Sequence, residues 1–351
     1  TADQAAGGRS IEPVDIKPGL ATYRQTVSHS SFLSSEPRKM EKRVSVIIPT
    51  YNRARFIGEA LDSVLTQCTD EDEIIVVDDG STDETREVLG GFGDRLRVIS
   101  QEQRGPSAAR NRGILESAGR LIAFQDSDDL WAPDKMRLQL NFTARHPEVD
   151  IVFGNMGNFS GSGFPESPEI THPEIYSYLQ EHCASLDRMF EKLLQTDFVP
   201  LPTVLMKRCC LTRLGGFDED LTIAEDYDLW LRAACLFRFG FVDSILVFRR
   251  RHEGNLINRF ASRLSQQATV LEKFKGNASL MNEERIHLID RTLSALYYDL
   301  GSFEFKKGQF AQAHAHLRRC TGEHRTKVKW RVKVTIAAAF KNLHAHSFET
   351  G

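Results

Sequence analysis

The 351 residues carry 45 Lys plus Arg against 48 Asp plus Glu, a formal charge of −3, and that near-balance excludes a strongly basic nucleic-acid binder. With 41% hydrophobic and 26% charged residues, the composition excludes disorder of the whole chain and suits roughly two domains with a sizeable core. The longest apolar runs, such as Val46 to Pro49 and Ile336 to Phe340, fall far short of the ~18 to 20 residues that cross a bilayer, so no transmembrane helix is expected.

Residues 1–42 are rich in Ser, Gly, Pro and Gln and read as a mobile tail. Val44 to Pro49 then predicts a buried parallel strand, and Phe56, Ile57, Ala60, Leu61, Val64 and Leu65 recur at helical spacing. Glu73 to Asp78 predicts a second strand, Asp83 to Phe92 a helix, and Leu96 to Ile99 a third strand. Pro106 to Ala118 reads as a helix with proline in its first turn and Gly119 past its end, followed by a strand over Leu121 to Phe124. Strands alternating with helices imply a parallel, helix-covered sheet. Residues 157–171 are rich in Gly, Ser and Pro and read as a loop or insertion. Thr203 to Met206 then predicts a strand, Gly215 to Asp218 a tight turn, Asp226 to Phe237 a helix, and Phe239 to Phe248 a strand. Beyond Asn258 the pattern is helical in about four segments, a separate layer or small domain.

Two predicted strands end in acids, Asp78-Asp79-Gly80-Ser81 and Asp126-Ser127-Asp128-Asp129. The topology aims both at one crevice beyond the carboxyl ends of the strands. Asp, Gly and Ser are also ordinary turn formers and helix caps, so either cluster alone is ambiguous. Four or five acids converging on one cleft would repel one another unless a cation or ligand offset their charge.

The stretches VSVIIPTYNR (44–53), EIIVVDDGSTDET (73–85), RGPSAARNRGI (104–114), FQDSDDLWAPDK (124–135), LGGFDE (214–219), AEDYDLWLR (224–232) and RRRHEGN (249–255) together make a specific set. In them the chain resembles the inverting, nucleotide-sugar-dependent glycosyltransferases of family 2. The resemblance implies an α/β, GT-A-type, Rossmann-like and mostly parallel sheet flanked by helices. It places a catalytic domain over residues 43–256, with a nucleotide-sugar half over 43–130 and an acceptor half over 131–256, and leaves 257–351 as a C-terminal helical region.

The resemblance also implies roles. Asp79 would accept a hydrogen bond from the base N3–H of a UDP-sugar, with Pro49 and Tyr51 forming the wall against the base. Arg110 would reach the ribose or diphosphate, and Asp126 would support the ribose or a metal's water shell. Asp128 would ligate Mn²⁺ or Mg²⁺ bridging the phosphates, as suits hard carboxylate oxygens. Asp129 would orient the loop or cap the following helix. His252 would complete the metal shell or touch the diphosphate, and Arg250 would neutralise phosphate. In the acceptor-side pair Glu225-Asp226, Asp226 would be the general base. Each role has a structural counterpart; acids at a helix N-terminus, for instance, are favoured by its dipole.

The function so implied is transfer of a sugar from a nucleoside diphosphate, UDP foremost, to a hydroxyl of a glycan or lipid-linked acceptor in cell-surface polysaccharide biosynthesis. Two alternatives remain: a sugar nucleotidyltransferase, and a sugar-nucleotide-binding or scaffold protein without turnover. A nicotinamide dehydrogenase is excluded because the first strand-to-helix turn, Pro49 to Arg53, has no glycine, and a P-loop enzyme because GxxxxGK[ST] is absent. Six cysteines without a CxxC pair fit a reducing cytosol. Leu296 to Leu317 is placed like a single tetratricopeptide-type hairpin, which establishes no solenoid. Lys327 to Lys341 is basic and apolar and suits either an anionic membrane surface or packing on the catalytic domain. The expected location is cytoplasmic, with peripheral contact at the inner face of the membrane.

Overall fold

The first half of the chain alternates β1 (Lys42–Thr50), α1 (Ile57–Leu65), β2 (Glu73–Asp78), α2 (Thr85–Gly90), β3 (Arg97–Ser100), α3 (Pro106–Glu116) and β4 (Gly119–Phe124). This computed structural model describes residues 42–159, 168, 170–251, 260–277, 279–322, 333, 334 and 336. Strand β1 is buried on both faces, which is why its sequence is nearly continuous in β-branched residues. Val44, Val46 and Ile48 share an apolar cluster with Ile57, Leu61 and Val64 of α1. Ile47 points the other way, towards α3, which approaches so closely that a Cβ on Gly113 would lie 2.5 Å from Ile47 Cγ2.

The second half adds β5 (Leu130–Trp131), α4 (Lys135–Arg145), β6 (Ile151–Phe159), α5 (Pro173–Glu181), α6 (Met189–Gln195), β7 (Leu205–Lys207), α7 (Arg208–Leu214), α8 (Glu225–Ala234) and β8 (Phe239–Arg250). All eight strands form one sheet in the order β3-β2-β1-β4-β7-β6-β8-β5. Strands β1 to β4 pair in parallel, as the alternation predicts. Beyond them the sheet is mixed: β7 is antiparallel to both β4 and β6, β6 is parallel to β8, and β5 is antiparallel to β8. Strand β6 runs three residues into the segment that composition marks as a loop from 157. Its pairing with β8, Gly157 opposite Phe248 and Phe159 opposite Arg250, outweighs the glycine content. Between β6 and β7, helices α5 and α6 occupy a region without a clear sequence period.

The C-terminal helices are α9 (Phe260–Lys275), α10 (Glu283–Lys306) and α11 (Phe310–Arg318). Asn282 caps α10 by accepting from the Arg285 N–H at 2.8 Å. One buried cluster runs from Ile47 and Phe124 through Trp230 to Leu271, Phe274, Ile289 and Leu300, so these helices share the core of the sheet. The predicted hairpin at Leu296 to Leu317 is the α10–α11 pair, in tight contact at Gly301 and Leu317. The tail over 1–41 lies outside the described residues, as does 327–341 apart from Lys333, Val334 and Ile336. Lys333 Nζ donates to Ser302 Oγ at 2.7 Å and sits 5.0 Å from the Tyr298 ring centroid, both on α10. Among the described residues no helix is long and apolar enough to cross a membrane.

Candidate active site

The carboxyl ends of β1, β2 and β4, the start of α8, the segment from Ile170 to Pro202 and helix α9 enclose a cavity of about 630 Å³. Pro49, Tyr51, Asp79, Arg110, Asp126, Asp128, Glu225 and Asp226 all line it. The sequence-predicted residues are therefore brought together, except His252, which lies outside the described residues.

The turns after β1 and β2 are stitched to each other. Asn52 adopts a positive φ of 52°, which its short polar side chain tolerates. Its Oδ1 accepts from the N–H groups of Thr82 at 2.8 Å and Asp83 at 3.3 Å, while the Arg53 N–H donates to Thr85 Oγ1 at 2.8 Å. Asp78 is buried, which works against its charge. Hydrogen bonds from Ser81 and from Arg86 Nε, the latter at 2.6 Å, nevertheless hold its pKa below the usual carboxylate value. Asp79 accepts three bonds, from Gln101 Nε2 at 2.8 Å and from the N–H groups of Arg104 at 2.8 Å and Gly105 at 2.7 Å. A carboxylate has about four acceptor positions, so about one remains for a ligand. These bonds also set the loop that turns through Gly105, at φ 92°, into α3.

The acidic turn after β4 is anchored by its last member. Asp129 is buried and accepts from the Arg250 N–H at 3.0 Å, while Gln125 Nε2 donates to its carbonyl at 2.6 Å. Asp129 thus orients the loop rather than capping α4, whose N-cap residue is Asp134. Burial, with Asp126 and Asp128 nearby, pushes its pKa well above the usual carboxylate range. Asp128 keeps its carboxylate at the cavity, 3.4 Å from Arg53 Nε. Arg250 does not reach the cavity as the sequence reading expects. Its guanidinium donates to the Asp128 carbonyl and to Glu59 and packs on the Phe56 and Phe159 rings, and it is Arg249 that lines the cavity. Neighbours on a strand face opposite ways.

Arg110 joins the two acidic motifs. It is buried, donates from Nη1 to Glu225 Oε1 at 2.8 Å and from Nη2 to Asp126 Oδ1 at 3.0 Å, and lies over the Phe217 ring. Burial opposes its charge, but the two carboxylates raise its pKa further. Glu225 Oε2 has no hydrogen-bond partner. Asp226 is partly buried, and its pKa is driven well above the ordinary range by burial and then by Asp197 and Glu225. Asp197 lines the same cavity. It sits in a segment where no sequence signal marks it.

Helix α9 supports this side. Gln266 Oε1 accepts from three consecutive N–H groups just before the acid pair, Thr222 at 3.2 Å, Ile223 at 2.9 Å and Ala224 at 3.3 Å. Arg263, on the same helix, lines the cavity. Neither residue belongs to a sequence motif.

Seven carboxylates and four guanidiniums line the cavity. Among the described residues no group of three His, Cys, Asp or Glu is arranged to hold a cation on its own. The donor set still fits Mg²⁺ or Mn²⁺, which are commonly held by one or two carboxylates completed by substrate phosphates and water. Asp128 supplies such a carboxylate.

The sheet order and its helical layers define a GT-A-type fold. Residues 1–349 of Staphylococcus aureus TarS in complex with UDP-GlcNAc superpose with a TM-score of 0.61 at 20% identity, covering 84% of this chain and 89% of that one. The mannosyltransferase PcManGT from Pyrobaculum calidifontis, in complex with GDP-Man and Mn²⁺, gives 0.54 at 21% identity over 93% and 94%. At those identities the likeness is one of fold. A sequence profile described as Glycosyl transferase family 2 matches residues 45–210. An uncharacterised glycosyltransferase of Rickettsia prowazekii is 28% identical over 76% of this chain and 80% of its own length. The Escherichia coli UDP-Glc:α-D-GlcNAc-diphosphoundecaprenol β-1,3-glucosyltransferase WfgD is 30% identical over 54% of this chain and 68% of its own. A Rickettsia felis relative is 34% identical over 59% of this chain, which covers only 32% of that protein. The chain belongs to glycosyltransferase family 2.

Proposed function

We propose that the protein transfers a sugar with inversion from a UDP-sugar to a hydroxyl of a glycan or lipid-linked acceptor, in cell-surface polysaccharide biosynthesis. The observation that carries this reading is the opening of Asp128 and Asp226 onto one cavity, with Arg110 bridging the motifs that hold them. The lipid-linked acceptor draws support from the name of the Escherichia coli relative, and polysaccharide assembly from a Bacillus subtilis relative named as a putative teichuronic acid biosynthesis glycosyltransferase, 37% identical over 38% of this chain. Such an acceptor would bring the enzyme to a membrane surface.

In this reading Pro49, Tyr51 and the remaining acceptor position of Asp79 take the base. Asp128 would hold a Mn²⁺ or Mg²⁺ ion, which would offset the charge growing on the leaving diphosphate. Asp126 is held by Arg110 at the edge of the same pocket. The acceptor oxygen attacks C1 from the face opposite the diphosphate, the C1–O bond to phosphate breaks, and the hydroxyl proton passes to Asp226. A carboxyl with a raised pKa suits that task, because a base works best when its pKa lies near the working pH. Glu225, fixed by Arg110, keeps its neighbour in place and adds negative charge beside it.

A panel of nucleotide sugars assayed with Mn²⁺, Mg²⁺ or a chelator tests the proposal. Acceptor-dependent release of nucleoside diphosphate, lost with chelator and yielding a product of inverted anomeric configuration, is expected. Release of pyrophosphate would indicate a nucleotidyltransferase instead. Donor binding without turnover would indicate a scaffold.

A further inference from the structure

The C-terminal helices reach the cavity through α9. Gln266 fastens the helix to the segment preceding the acid pair, with Nε2 donating to Thr222 Oγ1 at 2.8 Å in addition to the three bonds its Oε1 accepts. Arg263 precedes Gln266 by three residues, so both lie on one face of α9. Arg263 lines the cavity with Thr222, Ile223 and Asp226, and the Gln266 bonds put this part of α9 beside the segment that leads into Asp226.

Arg263 differs from the cations described above. Arg53 pairs with Asp128, and Arg110 with Asp126 and Glu225. Arg263 Nε is buried without a hydrogen-bond partner, and among the described residues its guanidinium makes no ion pair. A buried guanidinium nitrogen without an acceptor carries a desolvation cost that a bound anion would relieve. Its planar fork matches phosphate and carboxylate oxygens. The cavity lining also carries the carboxylates of Asp226, Glu225 and Asp197, so an anionic acceptor entering here needs a local positive charge.

We propose that Arg263 binds a phosphate group of the acceptor, so that the enzyme selects sugars linked to phosphate or diphosphate over neutral glycosides. The proposal rests on the acceptor docking at Asp226, and it adds a recognition point contributed by the C-terminal helices.

The test uses the full chain saturated with UDP and Mg²⁺ and titrated calorimetrically with two probes, N-acetylglucosaminyl decyl diphosphate and the matching neutral decyl glycoside. Wild type should bind the diphosphate at least tenfold more tightly. Arg263→Gln should abolish that preference, Arg263→Lys should retain part of it, and UDP affinity should stay within about twofold. No preference in the wild type, including no binding of either probe, would overturn the proposal. So would an equal loss for both probes in Arg263→Gln. A changed UDP affinity with the preference intact would assign the anion to the donor and also overturn it. Transfer is read separately. Arg263-dependent binding of the diphosphate probe with no sugar transfer to any acceptor would overturn the proposed function and leave this site standing.

Discussion

Replacing Arg110 with Met should show how much of the cleft depends on one guanidinium. The substitution keeps an apolar stem over Phe217 but removes both charged bonds. The Asp126 carboxylate is about one-third exposed, at 35%, so water would take over most of that partner's needs. Glu225 is only 10% exposed and its second oxygen already has no partner, so the variant leaves a buried carboxylate unpaired at both oxygens. Breaking a buried pair from one side typically costs about 3 to 5 kcal/mol, and the well-buried Glu225 half supports a loss of about 3 kcal/mol. Urea denaturation of wild type, Arg110→Met, Glu225→Gln and the double variant would measure it. The double variant removes both charges and should recover much of the loss, giving a coupling of at least about 1 kcal/mol. A cost below about 1 kcal/mol for Arg110→Met, or effects that add within about 0.5 kcal/mol, would refute the bridging role.

Gln266→Leu should lower kcat about tenfold with donor KM unchanged, because the three N–H groups before the acid pair lose their shared acceptor; Gln266→Glu, which keeps that acceptor, should retain more activity in steady-state assays. The ascending limb of the pH profile of kcat/KM should lie well above the ~4 of an ordinary carboxylate, since Asp226 must lose its proton to act, and a limb near 4 would count against it. Lys135 donates to Gln139 Oε1 at 2.7 Å and is buried, which pushes its pKa down to about 7 from the ordinary 10.5. Between those values the unfolded state binds more protons, so stability should rise with pH across that window; below about 7 both states are protonated and the burial penalty is felt in full. In urea denaturation Lys135→Met should remove this dependence, up to about 1.4 kcal/mol per pH unit.

The parallel half of the fold is legible in the sequence because each of β1, β2 and β4 is an apolar run buried on both faces, a local signal. Strand β6 is harder to read. Gly154 is required by contact with Leu246, and Gly157 pairs with Phe248, so its residues are set by partners some 90 positions away. The candidate site divides in the same way. Asp79, Asp126, Asp128 and the 225–226 pair sit in motifs whose spacing announces them. Arg110 is visible as a residue, but its bonds to acids 16 and 115 positions distant are products of folding. Arg249 could have been preferred to Arg250 from the side-chain alternation of β8 and the fixed direction of its cavity end. Asp197, Gln266 and Arg263 carry no local signal, since an acid in an irregular segment and polar residues on an amphipathic helix look like solvated surface until the chain closes on itself.

The most direct measurement pairs Asp226→Asn with Asp128→Asn and reads donor affinity and sugar transfer for both. Asp226→Asn should bind UDP-sugar in the presence of Mg²⁺ nearly as wild type does while transfer falls by the ~10² to 10⁴ of a lost base. Asp128→Asn should lose the metal dependence of donor binding as well as turnover. Undiminished transfer in Asp226→Asn, or metal-dependent donor binding unchanged in Asp128→Asn, would contradict the assignment of base and cation ligand to opposite walls of one cavity.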